Sequence, residues 1–285
     1  MPFADVVTKV KPAVVGMGIL RDPRDPFSAI IIGTGFFVDR HGTILTNRHV
    51  AEHFIKERDG NIGVRRDIAR AVVFVDATGR PIPGTETKAK AGYGAGVCAI
   101  VEVAMPPEAP DEDSHYDSPP DLAICRVDPE CLARVGPIHH LDLVSSEGVR
   151  EGDEVGICGF PLGLIVDQSA RLRQMTPIVQ RGIVAAVLPF SGIGNPHAFQ
   201  LDIHINAGSS GSPVFQAETG AVIGVVFAAP ERPGPVMVPG HVEGDEPIGT
   251  VYLPTGFGYA IPSNRYFEKP NPSRRLPDVY HRPDC

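Results

Sequence analysis

The sequence of this 285-residue chain predicts an all-β protein with two packed barrels or sandwiches. Val and Ile dominate its apolar runs, which are short and bounded by turn residues. The 31 Gly and 29 Pro imply many turns and short elements. No long stretch repeats apolar residues at the helical period. Apolar residues make up 42% of the chain, so a substantial core is available.

Each predicted strand is an apolar run between turn signals. Gly42 follows the second run and supplies the positive φ that a tight hairpin turn needs. Residues 49–57 contain good helix formers and predict about two helical turns. In the first half the predicted strands are residues 13–20, 29–39, 43–46, 69–77, 96–105 and 122–127. In the second half they lie in DEVGICGF, PIVQRGIVAAVL, AFQLDIHI, SPVF, AVIGVVFAA and FGYAI.

Two segments are too polar and proline-rich to bury much surface. Residues 105–121 include an acidic stretch with several prolines, which predicts an exposed loop. Residues 265–285 are rich in Pro and charge, which predicts a tail with little structure of its own.

Charge and composition argue against several classes of protein. The net charge of −8 is unfavourable for a nucleic-acid partner, because phosphate binding needs a basic face. Asp5, Lys9 and Lys11 interrupt the apolar stretch that a secretory signal would need. The longest apolar run, residues 221–229, is too short to span a bilayer. The sequence therefore predicts a soluble cytoplasmic protein with neither nucleic acid nor membrane as a partner.

The five cysteines are an odd number and include no Cys-x-x-Cys pair. This pattern supports neither a disulfide framework nor a zinc site. We therefore expect a protein of a reducing compartment, in which most cysteines are small, buried apolar groups.

A cluster of small residues, INAGSSGSPVF at 205–215, is the first candidate for chemistry. A glycine two residues before a serine lets backbone N–H groups converge on one point. This arrangement makes Ser210 a candidate nucleophile, with the N–H groups of Gly208 and Ser210 as oxyanion donors. The alternative is a simple turn between two strands. The nucleophile elbow of α/β-hydrolases does not fit, because position 212 is serine and His281, the histidine nearest the C-terminus, lies in the polar tail.

A candidate base and a candidate acid lie upstream of Ser210. His49 stands at a strand-to-helix junction, although a capping or surface histidine is the alternative. His53 follows four residues later, but a metal pair would also need a Glu after the first His and a third ligand, so no metal is predicted. Asp121 follows Pro119 and Pro120 and precedes an apolar strand, where a turn-forming Asp is the alternative. The order His, Asp, Ser is that of chymotrypsin and differs from that of subtilisin.

The sequence resembles the trypsin-like serine proteases and, within them, the HtrA/Deg-type protease domain. FADVVTKVKPAVVGM is similar to that family's N-terminal segment, GTGFFVDRHGTILTNRHV to its histidine motif and DLAICRV to its aspartate motif. GDEVGICGFPLG is similar to the first strand of its second barrel, and LDIHINAGSSGSPVF to its serine motif. AVIGVVFAA and FGYAIPSN resemble the closing strands beside the substrate cleft. The matches run in order from residue 3 to residue 264.

The resemblance implies two antiparallel six-stranded β-barrels, the chymotrypsin fold, with the active site between them. Residues 1–140 would form the N-terminal barrel with the His and Asp. Residues 141–264 would form the C-terminal barrel with the Ser and the specificity pocket, and residues 265–285 the tail.

Several features depart from the family pattern. We expect no PDZ domain after the protease domain, since only about twenty residues follow Asn264. The segment 54–96 is longer than compact members need, which predicts extra strands or a regulatory loop. Ala207 and Ser212 replace a common proline and glycine, and both are small enough for the oxyanion loop to persist. Ser209 replaces the aspartate that binds a newly cut N-terminus in trypsin zymogens, so we expect no activation by N-terminal cleavage. Ordering of the oxyanion loop by substrate or a partner would be the alternative control.

By resemblance, the chain is expected to be a serine endopeptidase that forms an acyl-enzyme on Ser210, with His49 and Asp121 completing the triad. It needs no metal or organic cofactor, and its substrate is a polypeptide. The residues placed in the substrate pocket by motif position are His204, Val225, Val226 and Phe227.

With no acid at the floor of that pocket, we expect cleavage after small or medium apolar residues. His204 could instead receive Glu or Asp, and the alternative is an inward-facing core histidine. Two other functions stay open: a non-catalytic or latent domain that binds exposed peptides as a chaperone or adaptor, and an esterase. The sequence leaves the oligomeric state undetermined.

Overall fold

The structure is a computed structural model in which mostly antiparallel strands form two halves. None of the helices it describes combines the length and apolar character needed to cross a membrane. It describes residues 1–20, 29–58, 61–65, 72–75, 95–106, 120–135, 138–161, 176–190, 195–229, 231–236, 249–267 and 278–281.

The N-terminal half is an eight-stranded antiparallel sheet with the order β18-β8-β9-β3-β2-β1-β6-β7, in which β18 is Asp278–His281. Its strand number differs from the expected six, and a strand from the C-terminal end of the chain supplies one edge. In segment 54–96, expected to hold extra strands or a regulatory loop, the described residues include a separate hairpin, β4–β5, and the predicted strand at 69–77 is present as β6, which joins the sheet. The strands of this half are β1 (Val14–Leu20), β2 (Ala29–Phe37), β3 (Thr43–Thr46), β4 (Ile55–Arg58), β5 (Asn61–Val64), β6 (Val72–Val75), β7 (Ala95–Cys98), β8 (Ile100–Met105) and β9 (Ala123–Val127).

The C-terminal half is the expected closed six-stranded barrel, with the order β10-β11-β12-β17-β14-β13. A separate hairpin, β15–β16, lies in the chain between β14 and β17. The strands of this half are β10 (Glu154–Gly159), β11 (Ile178–Leu188), β12 (Ala198–Leu201), β13 (Pro213–Gln216), β14 (Val222–Ala228), β15 (Glu231–Val236), β16 (Gly249–Pro254) and β17 (Gly258–Pro262).

The described helices are short: α1 (Phe3–Val10), α2 (Arg48–Ala51), α3 (Pro129–Val135) and α4 (Asn264–Phe267). The helix predicted after β3 is one α-helical turn, α2, followed by a 3₁₀ turn at Glu52–Phe54. The tight turn predicted between β2 and β3 is present, and Gly42 has a φ of 88° there.

The N-terminal helix packs on the C-terminal barrel, although the sequence places it in the N-terminal half. Its apolar residues recur at helical spacing, and Val6 and Val10 are fully buried. The Phe3 ring stacks on Phe215 of β13, with 6.1 Å between the ring centroids. The guanidinium of Arg181 lies over the Phe3 ring. The boundary at residue 140 therefore does not separate two independent packing units.

The core consists of three clusters, one of which is shared between the halves. The first lies within the N-terminal sheet and the third within the C-terminal barrel. The second combines residues of both halves, including Phe36 and Leu45 from the sheet with Phe160 and Phe215 from the barrel. Burial of these large side chains supplies the main attraction between the halves.

The C-terminal segment contains a strand, β18 (Asp278–His281), that pairs antiparallel with β8. This differs from the expected tail with little structure of its own. An exposed sheet edge offers unpaired N–H and C=O groups, so a polar segment can add a strand without a hydrophobic signal. Residues 268–277 and 282–285 lie outside the described residues, as does most of the loop predicted at 105–121.

Cys98 and Cys131 form a disulfide between β7 and α3, with their Cα atoms 5.6 Å apart. The prediction that the cysteines give no disulfide is therefore wrong for this pair. Only the tertiary structure brings β7 and α3 together, so cysteine spacing could not reveal the bond. Cys125 and Cys158 are free and buried, as predicted, and burial raises the pKa of each thiol to about 12.

Candidate active site

His49 is the second residue of α2, the helical turn that follows β3. Asn47 has an extended backbone, is fully buried and precedes the first residue of the helix. Its side-chain amide donates a hydrogen bond to the carbonyl oxygen of Asp121, at 2.8 Å. Strand β9 pairs with β3 so that Ala123 lies opposite Thr46. This register places Asp121, just before β9, beside the first turn of α2.

The Asp121 carboxylate contacts His49 through both oxygens. Oδ2 lies 2.7 Å from Nδ1 of the ring, and Oδ1 accepts a hydrogen bond from the His49 backbone N–H at 3.0 Å. The ionised carboxylate only accepts, so Nδ1 carries the proton and neutral His49 has its Nε2 lone pair available. The side chain of His49 is 47% exposed, so that nitrogen can be reached by a substrate or by another side chain.

The pKa of His49 is raised above its ordinary value. The hydrogen bond with Asp121 is the main cause, and the negative charges of Asp121 and Glu52 add to it. Partial burial of the ring acts in the opposite direction. A histidine in this state is a stronger base than free imidazole.

Ser210 lies in the loop formed by residues 206–212, which immediately precedes β13. The backbone N–H of Ser209 donates to Asn206 O, that of Gly211 to Val226 O and that of Ser212 to Ser209 O. In contrast, the N–H groups of Gly208 and Ser210 donate to no other described residue. These are the two groups that the sequence predicts as oxyanion donors, and neither is used within the described structure.

Hydrogen bonds attach this loop to the N-terminal sheet. The Thr34 backbone N–H, in β2, donates to Ser210 O at 2.7 Å, and the Thr46 hydroxyl, at the end of β3, donates to Thr34 O at 2.7 Å. Thr46 lies three residues before His49. The structure therefore brings His49 and Asp121 into direct contact and bonds the Ser210 backbone to the strand pair that ends beside His49.

Gly211 is required by this attachment for two reasons. Its φ is 87°, a conformation that costs an L-residue about 1–2 kcal/mol. A Cβ at this position would also overlap the carbonyl oxygen of Thr34 and the hydroxyl of Thr46. Ser212, where the family commonly has glycine, is accommodated because its neighbour Gly159 has no side chain.

The residues predicted for the substrate pocket have different environments. Val225 and Val226 are buried, in the shared cluster and in the barrel core respectively. Phe227 is partly buried and lies 6.4 Å from Tyr259 between ring centroids. His204 is exposed, and its carbonyl oxygen accepts a hydrogen bond from Gln180. Of the four, Phe227 and His204 are the ones with side chains open to a ligand.

His53 is exposed, and across the described residues no three His, Cys, Asp or Glu side chains are grouped closely enough to hold a metal ion. The sequence does not single out Thr34 or Thr46. A threonine within a strand is an ordinary strand former, so neither carries a signal of its own.

Comparison with known proteins gives consistent results. The model of the trypsin-like peptidase domain matches residues 33–225. The chain is 30% identical over 275 residues to the mitochondrial serine protease HTRA2 of Bos taurus, a match that covers 93% of this chain and 42% of that protein. It is 30% identical over 152 residues to the magnetosome formation protease MamE of Paramagnetospirillum magneticum, covering 51% of this chain and 16% of that protein.

Two solved structures have a similar fold. The HtrA-type protease AlgW with a tripeptide is 19% identical, with a TM-score of 0.50, and the match covers 94% of this chain and 62% of that chain. The serine endoprotease from Yersinia pestis is 18% identical, with a TM-score of 0.50, and the match covers 94% and 64%. The chain thus spans less than half the length of these curated relatives and less than two thirds of these solved chains.

The Gly211→Ala variant tests the close approach between the loop and β2. We expect a loss of about 3 kcal/mol in the free energy of unfolding, because backbone strain and steric overlap add. Gly148→Ala is the matched control, since Gly148 has a φ of 83° and a Cβ added there would meet no atom within 4 Å. It should lose only about 1 kcal/mol. Urea denaturation followed by circular dichroism measures both. Equal losses would mean that Gly211 does not pack against Thr34.

The contact between Asp121 and His49 predicts a pH dependence. We expect the His49 ring to titrate above the ordinary value of about 6.5 in an NMR pH titration, and Asp121→Asn to lower that midpoint. Because the folded-state pKa is raised, the pair stabilises the fold at low pH, and this contribution is lost as pH rises through that pKa. Asp121→Asn should therefore destabilise the protein more at about pH 6 than at about pH 9. An unchanged midpoint in the variant would contradict the contact.

Proposed function

The chain belongs to the trypsin-like peptidase domain family, and from this premise we propose that it is a serine endopeptidase with His49, Asp121 and Ser210 as its triad. One observation carries the assignment of the triad. The His49 ring is hydrogen-bonded to Asp121 at 2.7 Å, and the Ser210 backbone is hydrogen-bonded to Thr34 of β2, the strand next to β3 that leads to His49. The remaining steps follow from the chemistry of these groups.

In the first step, Ser210 Oγ attacks the carbonyl carbon of the peptide bond while His49 Nε2 takes the hydroxyl proton. The C–N bond then breaks, and His49 returns that proton to the leaving amine, which gives an acyl-enzyme. Water attacks the ester by the same route in reverse, with His49 again as base. Asp121 keeps Nδ1 protonated throughout and stabilises the imidazolium that forms in each step.

The negative charge that develops on the carbonyl oxygen would be stabilised by the N–H groups of Gly208 and Ser210. Neither donates to another described residue, so neither must break a hydrogen bond within the described structure to bind the oxyanion. Each such donor is worth roughly 3–4 kcal/mol in the transition state. This chemistry needs no metal or organic cofactor, and the substrate is a polypeptide.

We propose a preference for small or medium apolar residues immediately before the cleaved bond. Phe227 and Tyr259 contact each other on adjacent strands of the barrel, which gives this part of the site an apolar surface. Ile205 packs directly against Gly258. The exposed His204 offers the alternative, an acidic residue that pairs with its ring.

The nucleophile is tested with Ser210→Ala. Turnover of a casein or peptide substrate should fall by roughly four to six orders of magnitude, while the unfolding midpoint stays near the parental value. A fluorophosphonate probe should label the parent at Ser210 and leave the variant unlabelled, with the site located by mass spectrometry. Ser145→Ala, an exposed serine outside the site, is the control and should be labelled like the parent.

If Ser210→Ala cleaves at the parental rate, the triad is assigned incorrectly. A folded parent that neither reacts with the probe nor cleaves any substrate would instead support the non-catalytic peptide binder. Turnover of small esters without turnover of peptides would indicate an esterase.

A peptide library tests the specificity. We expect cleavage after residues such as Ala, Val or Leu, and we expect Phe227→Ala to favour larger side chains by about tenfold in kcat/KM, because a pocket wall is removed. A preference for Glu or Asp that disappears in His204→Ala would assign the acidic alternative. A preference for Lys or Arg would contradict both.

A further inference from the structure

The hydroxyl of Thr34 connects the two halves of the molecule at the Ser210 loop. Thr34 lies in β2 of the N-terminal sheet and is fully buried. Its Oγ1 donates to the carbonyl oxygen of Gly208 at 2.8 Å and accepts from the backbone N–H of Phe160 at 3.0 Å. Both partners belong to the C-terminal half, and Phe160 directly follows β10. One side chain thus joins β2, β10 and the 206–212 loop.

We propose that Thr34 is a positioning residue for the oxyanion hole, a proposal that rests on the proposed function. Its hydroxyl would fix the peptide plane between Gly208 and Ser209, and through it the direction of the Gly208 N–H. Glycine at position 208 has a φ of 88° and no Cβ, so sterics alone do little to hold its backbone. An external hydrogen bond is therefore needed to select one orientation.

The hydrogen bonds of the loop show how this selection operates. The plane between Gly208 and Ser209 is bonded at both ends, with its carbonyl to Thr34 Oγ1 and its N–H to Asn206 O. The plane between Ser210 and Gly211 is also bonded at both ends, to the Thr34 N–H and to Val226 O. Thr34 therefore binds the carbonyl groups of Gly208 and Ser210, the two residues whose N–H groups donate to no other described residue.

The preceding peptide plane, between Ala207 and Gly208, is not held by hydrogen bonds to other described residues. Neither its carbonyl nor its N–H is bonded to another described residue. Its orientation depends on the Gly208 backbone, which the Thr34 hydroxyl anchors from the other side. Loss of the hydroxyl would leave the first oxyanion donor without a fixed direction, whereas the peptide-binding surface of the barrel would remain.

Thr34→Val is the primary test, because valine keeps the shape and removes only the hydroxyl. We expect kcat for a peptide substrate to fall about tenfold to a hundredfold, since one oxyanion donor is misplaced and not removed. KM should change by less than about twofold, because ground-state binding makes little use of these donors. The affinity for a peptidyl boronate, which mimics the tetrahedral intermediate, should fall by the same factor as kcat.

Two further variants isolate the hydroxyl. Thr34→Ser and Thr34→Ala both lose the γ-methyl group, but only the serine keeps the donor and acceptor. We expect Ser to retain kcat within about threefold and Ala to lose it as Val does. Val and Ala both leave Gly208 O and Phe160 N buried and unpaired, which costs stability. If neither variant folds, Thr34→Ser decides the question, because it keeps both hydrogen bonds, and a folded serine variant that loses kcat by more than about tenfold would contradict the role of the hydroxyl.

Thr43→Val is the matched control for a purely structural effect. Thr43 is buried on β3, and its hydroxyl bonds to Asp39 in the neighbouring turn, away from the loop. It should lower the unfolding midpoint with no change in kcat, in assays well below that midpoint.

The outcomes separate the two proposals. A parent that neither cleaves nor reacts with a fluorophosphonate overturns the proposed function. An active parent whose Thr34→Val or Thr34→Ala variant keeps kcat and boronate affinity overturns the role of Thr34. Equal losses in the Ser and Ala variants overturn it as well, because the hydroxyl would then be irrelevant.

Discussion

The hydrogen bonds around Thr34 determine how the two halves of this molecule meet. Its backbone N–H bonds to Ser210, its carbonyl to Thr46 of β3, and its hydroxyl to both Gly208 of the Ser210 loop and Phe160. Because these groups are buried, each would cost free energy if it lost its partner. The relative position of the loop and of the strand pair before His49 is therefore restricted to a narrow range. The proposed triad, which is divided between the two halves, depends on such a restriction.

The chemistry of the site is accessible to sequence reasoning because it follows short motifs. His49, Asp121 and Ser210 are identifiable from their local patterns and their order along the chain. The strands and the turn at Gly42 are predictable from apolar runs and backbone preferences, which are local properties. The contact between His49 and Asp121 then requires only that β9 pair with β3 in the observed register.

The features that sequence reasoning misses all depend on distant pairs. Thr34 bonds to residues 174 and 126 positions away, and Cys98 bonds to a cysteine 33 positions away. A threonine within a strand, or two cysteines without a motif spacing, have the same sequence pattern whether or not they have such partners. Strand β18 is not predicted for a related reason, since it pairs through backbone groups and lies in a segment rich in Pro and charge. Only the tertiary structure distinguishes these residues from their neighbours.

Each end of the chain packs against the half of the molecule that is formed mainly by the other end. Helix α1 begins the chain and packs on the C-terminal barrel, whereas β18, near the other end, completes the N-terminal sheet. Each half thus includes an element from the opposite end of the chain. A fragment cut at residue 140 would expose the apolar face of α1 and the bare edge of β8 together. Each terminus therefore contacts the half of the molecule to which it does not belong in sequence, and the proposed catalytic groups lie in a structure that both termini hold together.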